Sequence, residues 1–467
     1  MLIFILTLFT INSYSNDIFV SKSLNWNPDK KEYLTLADAV DQSINLNFQE
    51  KERKYTKEIL EIDYKNKHDA FWYPKISFEV NADPYSIFRL KNGDVNPNGI
   101  TKTPNGSLGI NLGDYTLFNW GKDYLIYQND KDIFKRDTVI LSEKQRQLKH
   151  LVILRYYQLA QKLKISKYYK FMVQQSSFVY RFNKERAIAN KIQKLEYFQA
   201  KSLYLSAQEN YHQARQELKA ASFELAKLII DKSDKILTPL NDIQFFPIAY
   251  NIEHLQEIAE ANNENILNTK LNIKTTKREY QKEVRNNLPL PKITLNLGAY
   301  KHHFAANSSR THYQTGPSQS SVDLVATINA SWTIMGENGL FNKRTLRKSH
   351  LNHIVEKTKL KNFRHSIKTS VKKFFNDLKY LSRLIKISKT KLKTNKNQYD
   401  IIFNQYTKKQ TTFINYQDAL VSYINEQVNM TNYLISYIST KISIASAIGT
   451  VNLPNENFIK NTIELKE

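Results

Sequence analysis

A chain of 467 residues is long enough for roughly two to four globular domains, yet 11 glycines and 11 prolines are too few for that many turn-rich units and imply long uninterrupted helices. The absence of cysteine excludes disulfides, thiolate metal sites, thiol catalysis and lipidation of an N-terminal cysteine. The net charge of +24 raises nucleic acid as a partner, but the lysines run along nearly every helical stretch without forming one patch, so compositional bias is the plainer explanation and no nucleic acid is expected.

The chain opens MLIFILTLFTINSYSND, an apolar core from Leu2 to Phe9 followed by Ser13 and Ser15 in a small-x-small arrangement. This pattern predicts a secretory signal peptide over 1–15, with a buried N-terminal strand as the alternative. The positive n-region usual in such leaders is missing, which leaves open a start further upstream. No later window approaches ~18 consecutive apolar residues, so no transmembrane helix is expected, and an exported chain of this kind can still enter a membrane as a β-barrel.

After an N-terminal extension (16–33), a first repeat is predicted over 34–231 and a second over 252–449, joined by a linker (232–251) and followed by a tail (450–467). Each repeat begins with a helical period, Leu36 to Trp72 and Ile252 to Asn287, and Asn47 aligns with Asn263. Each helix runs into a proline, Pro74 or Pro291, which ends it. The period then changes from 3.6 to 2: Ile76, Phe78, Val80 and Ala82 alternate with polar residues, as do Ile293, Leu295, Leu297 and Ala299. Polar loops follow (89–106 and 305–320), and a second strand returns in each, giving β-hairpins over 75–119 and 292–335. Val322 to Ile334 alternate without interruption, whereas Gly113 shifts the phase of the first returning strand, as a bulge would.

These strands are long enough to cross a bilayer at the tilt of an outer-membrane barrel. Trp72, Tyr73, Trp120 and Trp332 lie where a membrane-interface belt belongs. A soluble sandwich with one wet face is the alternative. Four strands cannot close a barrel, since about eight is the smallest membrane closure, so oligomerisation is expected. Beyond each hairpin a helix of roughly 60 residues or ~90 Å is predicted, Lys122 to Asn183 and Asn342 to Tyr406. A polar turn then leads to a shorter return helix, Ile192 to Ile230 and Phe413 to Ile448. The return helix covers about two-thirds of the way back, and the helix opening each repeat, stacked on its end, makes up the rest.

LTLADAV at the first helix, the PKISF and PKITL junctions, TLFNWGK at 116–122 and SAIGTVN at 446–452 resemble, in this order and duplication, the bacterial outer membrane efflux family of TolC-like channels. The resemblance spans residues 34 to about 452. It implies a mainly α fold with a membrane β-barrel portion: a homotrimer forming a 12-stranded β-barrel in outer-membrane lipid and a 12-helix α-barrel across the periplasm. It further implies an exit duct served by a periplasmic adaptor protein and an inner-membrane pump, with no cofactor and no catalytic activity. The family's acidic pore ring maps to Asn415 and Asp418 in NYQDA, so one of two acidic positions survives, and the pore constriction is expected at Asn415, Asp418 and Gln193. The family's turn glycine maps to Ala187 and Lys409, and the periplasmic tip and adaptor contact to Ala187, Lys191, Lys408 and Lys409. Basic residues (Lys184, Arg186, Lys191, Lys408, Lys409) crowd this mouth. A membrane-anchored trimeric coiled-coil stalk or adhesin is the alternative, but the apolar positions are broader than an a/d seam.

His350, His353, His302, His303 and His312 lack a carboxylate at ligand spacing and read as solvated surface histidines, so no metal is expected. No G-x-S-x-G, H-E-x-x-H or Walker-type motif occurs.

Overall fold

The computed structural model describes residues 31–82, 89–91, 94–96, 106–189, 194–229, 236–247, 250–302, 323–336 and 339–459. The expected signal peptide lies outside these residues. The first half runs β1 (Lys31–Leu34), α1 (Leu36–Leu46), α2 (Phe48–Trp72), β2 (Ser77–Ala82), the short β3 (Arg89–Lys91) and β4 (Asp94–Asn96), β5 (Gly106–Phe118), α3 (Lys122–Ile188) and α4 (Lys194–Ile229). The second runs β6 (Ile236–Pro239), α5 (Ile252–Asn262), α6 (Glu264–Asn286), β7 (Lys292–His302), β8 (Asp323–Ser331), α7 (Lys343–Thr407) and α8 (Phe413–Ile448). No helix among the described residues is long and apolar enough to cross a membrane.

The helix expected over 36–72 is broken at Asn47, whose ψ of 131° is extended. Its Oδ1 accepts the Gln49 N–H at 2.8 Å, capping α2, while its Nδ2 donates to the Leu228 carbonyl at 2.8 Å. Leu228 lies in the last turn of α4, where carbonyls have no partner within the helix. Asn263 repeats the device: it caps α6 and donates to Ala447 O in α8 at 2.9 Å. Each break therefore sets the opening helix on the end of a return helix, making two columns, α4–α2 and α8–α6. Gly449 ends α8 with φ +79°, and a Cβ there would lie 2.4 Å from the Asn262 carbonyl, so the second junction requires glycine.

The long helices are the single pieces that the columns match. α3 has 67 residues and α7 has 65, each about 100 Å at 1.5 Å per residue. Asn342 caps α7 through Thr345 N and Thr412 caps α8 through Asn415 N. α3 packs against both columns, whereas α7 packs mainly against the α8–α6 column and reaches α3 through side chains near the tip. The lateral order is thus α4–α2, α3, α8–α6, α7.

The strands repeat that order. β2, β5, β7 and β8 form one antiparallel sheet in the sequence β2-β5-β7-β8, so the two expected hairpins join through β5 and β7. Asn111 pairs with Gly298 and Asp114 with Asn296, so Leu112 and Gly113 face one residue of β7: the bulge expected at Gly113 is present. β8 ends at Ser331, and the alternation read as far as Ile334 leaves the sheet there.

The stretches read as extension and linker are also built. β1 pairs in parallel with β6, Lys31 to Leu34 opposite Ile236 to Pro239. Asn241 accepts the Leu36 N–H at 2.7 Å and donates its own N–H to Tyr156 Oη at 3.0 Å, fixing this strand pair to α3. In the tail, the Glu456 carboxylate accepts from the buried Lys441 Nζ at 2.7 Å, and Leu453 and Phe458 enter the core. Periodicity could not show these short pieces, because four-residue strands carry little pattern.

Candidate functional site

Two regions hold the residues expected to act, the tip where the long helices turn and the junction of sheet and helices. At the tip, Tyr406 Oη of α7 donates to Asn183 Oδ1 of α3 at 2.9 Å, and Tyr399 Oη to Gln175 Oε1 at 3.0 Å. These bonds set the two helical hairpins side by side. Around them pack Met172, Val179, Tyr399, Tyr406, Phe413 and Tyr416. Burial holds the phenols of Tyr399, Tyr406 and Tyr416 above the ordinary tyrosine value, so they serve as neutral packing groups.

Above that core the α7–α8 turn is tight. The Gln410 N–H reaches Gln405 O at 2.8 Å, and Lys409 takes φ +63°, the left-handed region that glycine prefers. Lys408 and Lys409 are both exposed. The first hairpin differs. Ala187 lies inside α3, not in a turn, because that helix runs to Ile188 rather than stopping at Asn183. Arg186 does not stand free at the mouth, since its guanidinium lies 5.2 Å from the Phe182 ring centroid. Lys191 and Gln193 lie outside the described residues.

Asn415 and Asp418 are exposed and one turn apart on α8, on one face of that helix. Asn415 Nδ2 donates to Thr411 Oγ1 at 3.0 Å. α8 has three charged residues, Asp418, Glu426 and Lys441. Glu426 is buried against Ser388 Oγ at 2.5 Å and Lys391 Nζ at 2.8 Å. Burial lowers the proton affinity of Lys441, and its bond to Glu456 offsets part of that. Asp418 remains as the exposed charge of this helix, and it pairs with no described residue. The basic charge is less evenly spread than the sequence suggested: α7 carries 18 Lys and Arg against 3 Asp and Glu.

At the junction, Trp120 Nε1 donates to the Pro291 carbonyl at 2.9 Å, and Arg285 Nη1 donates to the Trp120 carbonyl at 2.9 Å. The end of the first hairpin is thereby fixed to the proline that opens the second. Trp120 takes φ +55° and Gly121 φ +69°, a reversal from strand to helix. Phe71 stacks on Tyr127 at 4.6 Å and meets Trp72 edge-on at 5.0 Å. Trp72, Tyr73 and Trp332 are each more than half exposed.

Of the histidines, His353 is not free in solvent: Nδ1 lies 3.2 Å from Thr276 Oγ1 between α6 and α7, and burial lowers its proton affinity. The ring of His350 meets Tyr280 edge-on. His303 and His312 lie outside the described residues. No group of three His, Asp or Glu converges among the described residues.

The arrangement is similar to solved outer-membrane channels. The Campylobacter jejuni CmeC outer membrane channel matches with a TM-score of 0.71 at 15% identity, over 91% of this chain and 88% of that one. The Vibrio cholerae outer membrane protein VceC matches at 0.70 and 11%, over 89% and 96%. The open state of the Neisseria gonorrhoeae MtrE outer membrane channel matches at 0.67 and 13%, over 89% of each. No protein-family model and no curated protein matches the sequence. The likeness read from the sequence holds at the level of the fold, which is that of TolC-like outer-membrane channels.

Proposed function

We propose that the chain is the outer-membrane exit duct of a tripartite efflux or type I secretion system, a homotrimer passing substrates from an inner-membrane pump across periplasm and outer membrane. The observation that carries this reading is the shared lateral order of strands and helices, with an edge at each side that is unpaired among the described residues. β2 and β8 are edge strands, and an open edge is not viable in lipid, where every backbone polar group needs a partner. Phe78, Ile110 and Ile328 are more than half exposed on this sheet, as a lipid-facing surface would be. Three copies, joined edge to edge, give 12 strands and a 12-column helical tube.

The helical edges are prepared for the same closure. Phe48, Tyr55 and Ile62 on α2 repeat every seven residues and are exposed, as are Phe198 and Leu205 on α4. On the opposite edge, Tyr380, Ile387 and Ile401 of α7 keep the same period. Such rows pack knobs into holes against another helix. In the trimer Asp418 would ring the pore, Lys408 and Lys409 would face the adaptor, and Trp72, Tyr73, Trp120 and Trp332 would lie at the membrane interface. The duct has no catalytic role in this reading.

The test is the mass and conductance of protein extracted from outer membranes in detergent. A particle of about three times 54.7 kDa, less any leader, that opens ion channels in planar bilayers is expected. A monomer that conducts, or a trimer that does not, overturns the reading.

A further inference from the structure

The edges of the sheet can be assigned a register, because the chain already contains one copy of the seam that would close it. The two hairpins are equivalent by pairing: Ser77 faces Asn111 and Phe78 faces Ile110, while Thr294 faces Asn329 and Leu295 faces Ile328. Ser77 and Thr294 each stand three residues after a junction proline, Pro74 or Pro291, and Ile-Asn occurs at 110–111 and again at 328–329. The first strand of one repeat thus maps onto the first strand of the other, and likewise the second.

Between the hairpins, β5 is the second strand of its repeat and β7 the first strand of the next. Ile110 faces Ala299 and Asn111 faces Gly298 across that seam. β8 and the β2 of a second copy stand in the same relation. Carrying the β5–β7 pairing across by the hairpin equivalence places Ile328 and Asn329 where Ile110 and Asn111 stand, and Ala82 and Asn81 where Ala299 and Gly298 stand. We infer that β8 of one copy pairs antiparallel with β2 of the next, with Asn329 opposite Asn81 and Ile328 opposite Ala82. The bulge residues Leu112 and Gly113 map to Ala330 and Ser331, the last two residues of β8. This register rests on the trimeric duct reading and adds to it the alignment of each edge.

A side chain shift of two residues keeps facing unchanged, so hydrophobic pattern alone does not choose among registers. The inner seam does, because it fixes the height at which adjacent helices meet the sheet. Trp120 bonded to Pro291 O sets that height inside the chain.

The chain has no cysteine, so engineered pairs can be read without background. Directly opposite residues in an antiparallel pair have Cα atoms about 4.5 to 5.5 Å apart, within the range a disulfide spans. A displacement of two residues takes them to roughly 7 Å or more, beyond it. The experiment compares N81C/N329C with E79C/N329C and N81C/S331C, which report the registers shifted by two residues in either direction, oxidised in outer membranes and run without reductant. The expected result is a shift from one to three chain masses for N81C/N329C, reversed by reductant, with little cross-linking in the shifted pairs. A-strand-to-strand cross-linking of a shifted pair in place of N81C/N329C overturns the register and leaves the trimer standing. No cross-link in any pair, with the uncross-linked parent a monomer in detergent, overturns the duct reading itself; no cross-link in any pair of a protein that remains trimeric overturns the seam.

Discussion

Asp418 and Lys409 sit near one turn yet have different expected roles. Three copies of Asp418 around a confined axis would repel and focus the field by several kT. Lys409 lies nine residues earlier, in the turn ahead of α8, whereas Asp418 stands five residues into that helix, about 8 Å along its axis and comparable with the ~8 Å over which 0.15 M salt screens charge. Asp418→Ala is therefore expected to raise single-channel conductance and weaken ion selectivity, and Lys409→Glu to impair coupling to the adaptor with little change in conductance. Planar-bilayer recording of both variants checks this; unchanged conductance in Asp418→Ala removes it from the constriction. The expectation placed on Asp418 comes from the NYQDA resemblance. That it is the exposed charge left on α8 was not legible in the sequence, because the partners of Glu426 and Lys441, at Ser388, Lys391 and Glu456, are distant in sequence or in the tail.

At the scale of the element, helix lengths followed from scarce breakers, but the breaks at Asn47 and Asn263 did not. Asparagine is tolerated inside helices at small cost, and what makes it a break here is a carbonyl on another helix. Asn47→Ala loses a cap of about 1 kcal/mol and leaves a carbonyl without its donor, together about 2 to 3 kcal/mol. Asn47→Asp keeps the cap acceptor and loses only the donor. Thermal melts followed by helical circular dichroism are expected to give midpoints in the order parent, Asn47→Asp, Asn47→Ala; equal midpoints would show that the column is held elsewhere. The bulge, by contrast, was legible, since a glycine that shifts an alternating pattern is a local signal.

For the whole molecule, the exposed rows of α7 and of the α4–α2 column would carry the proposed trimer. Ile387 is 62% exposed in the single chain, and its burial in the proposed seam would contribute roughly 2 kcal/mol per copy. Ile387→Glu is expected to shift the detergent-solubilised particle from trimer towards monomer while leaving helical content intact, as sedimentation would show. A trimer of unaltered stability would take the Tyr380–Ile387–Ile401 row out of the seam.

The sequence by itself determined the duplication of helix, hairpin and helix, the close of each opening helix ahead of its junction proline, and the bulge, because each depends on contiguous residues: period, breakers and glycine. Only the tertiary structure decided the lateral order that leaves β2 and β8 at opposite edges, the columns made by Asn47 and Asn263, the strand pair β1–β6 and the docking of the tail by Lys441 and Glu456. These depend on contacts between residues far apart in the chain, where partner choice is fixed by which carbonyl or charge lacks a neighbour after the helices pack, and no local pattern records that.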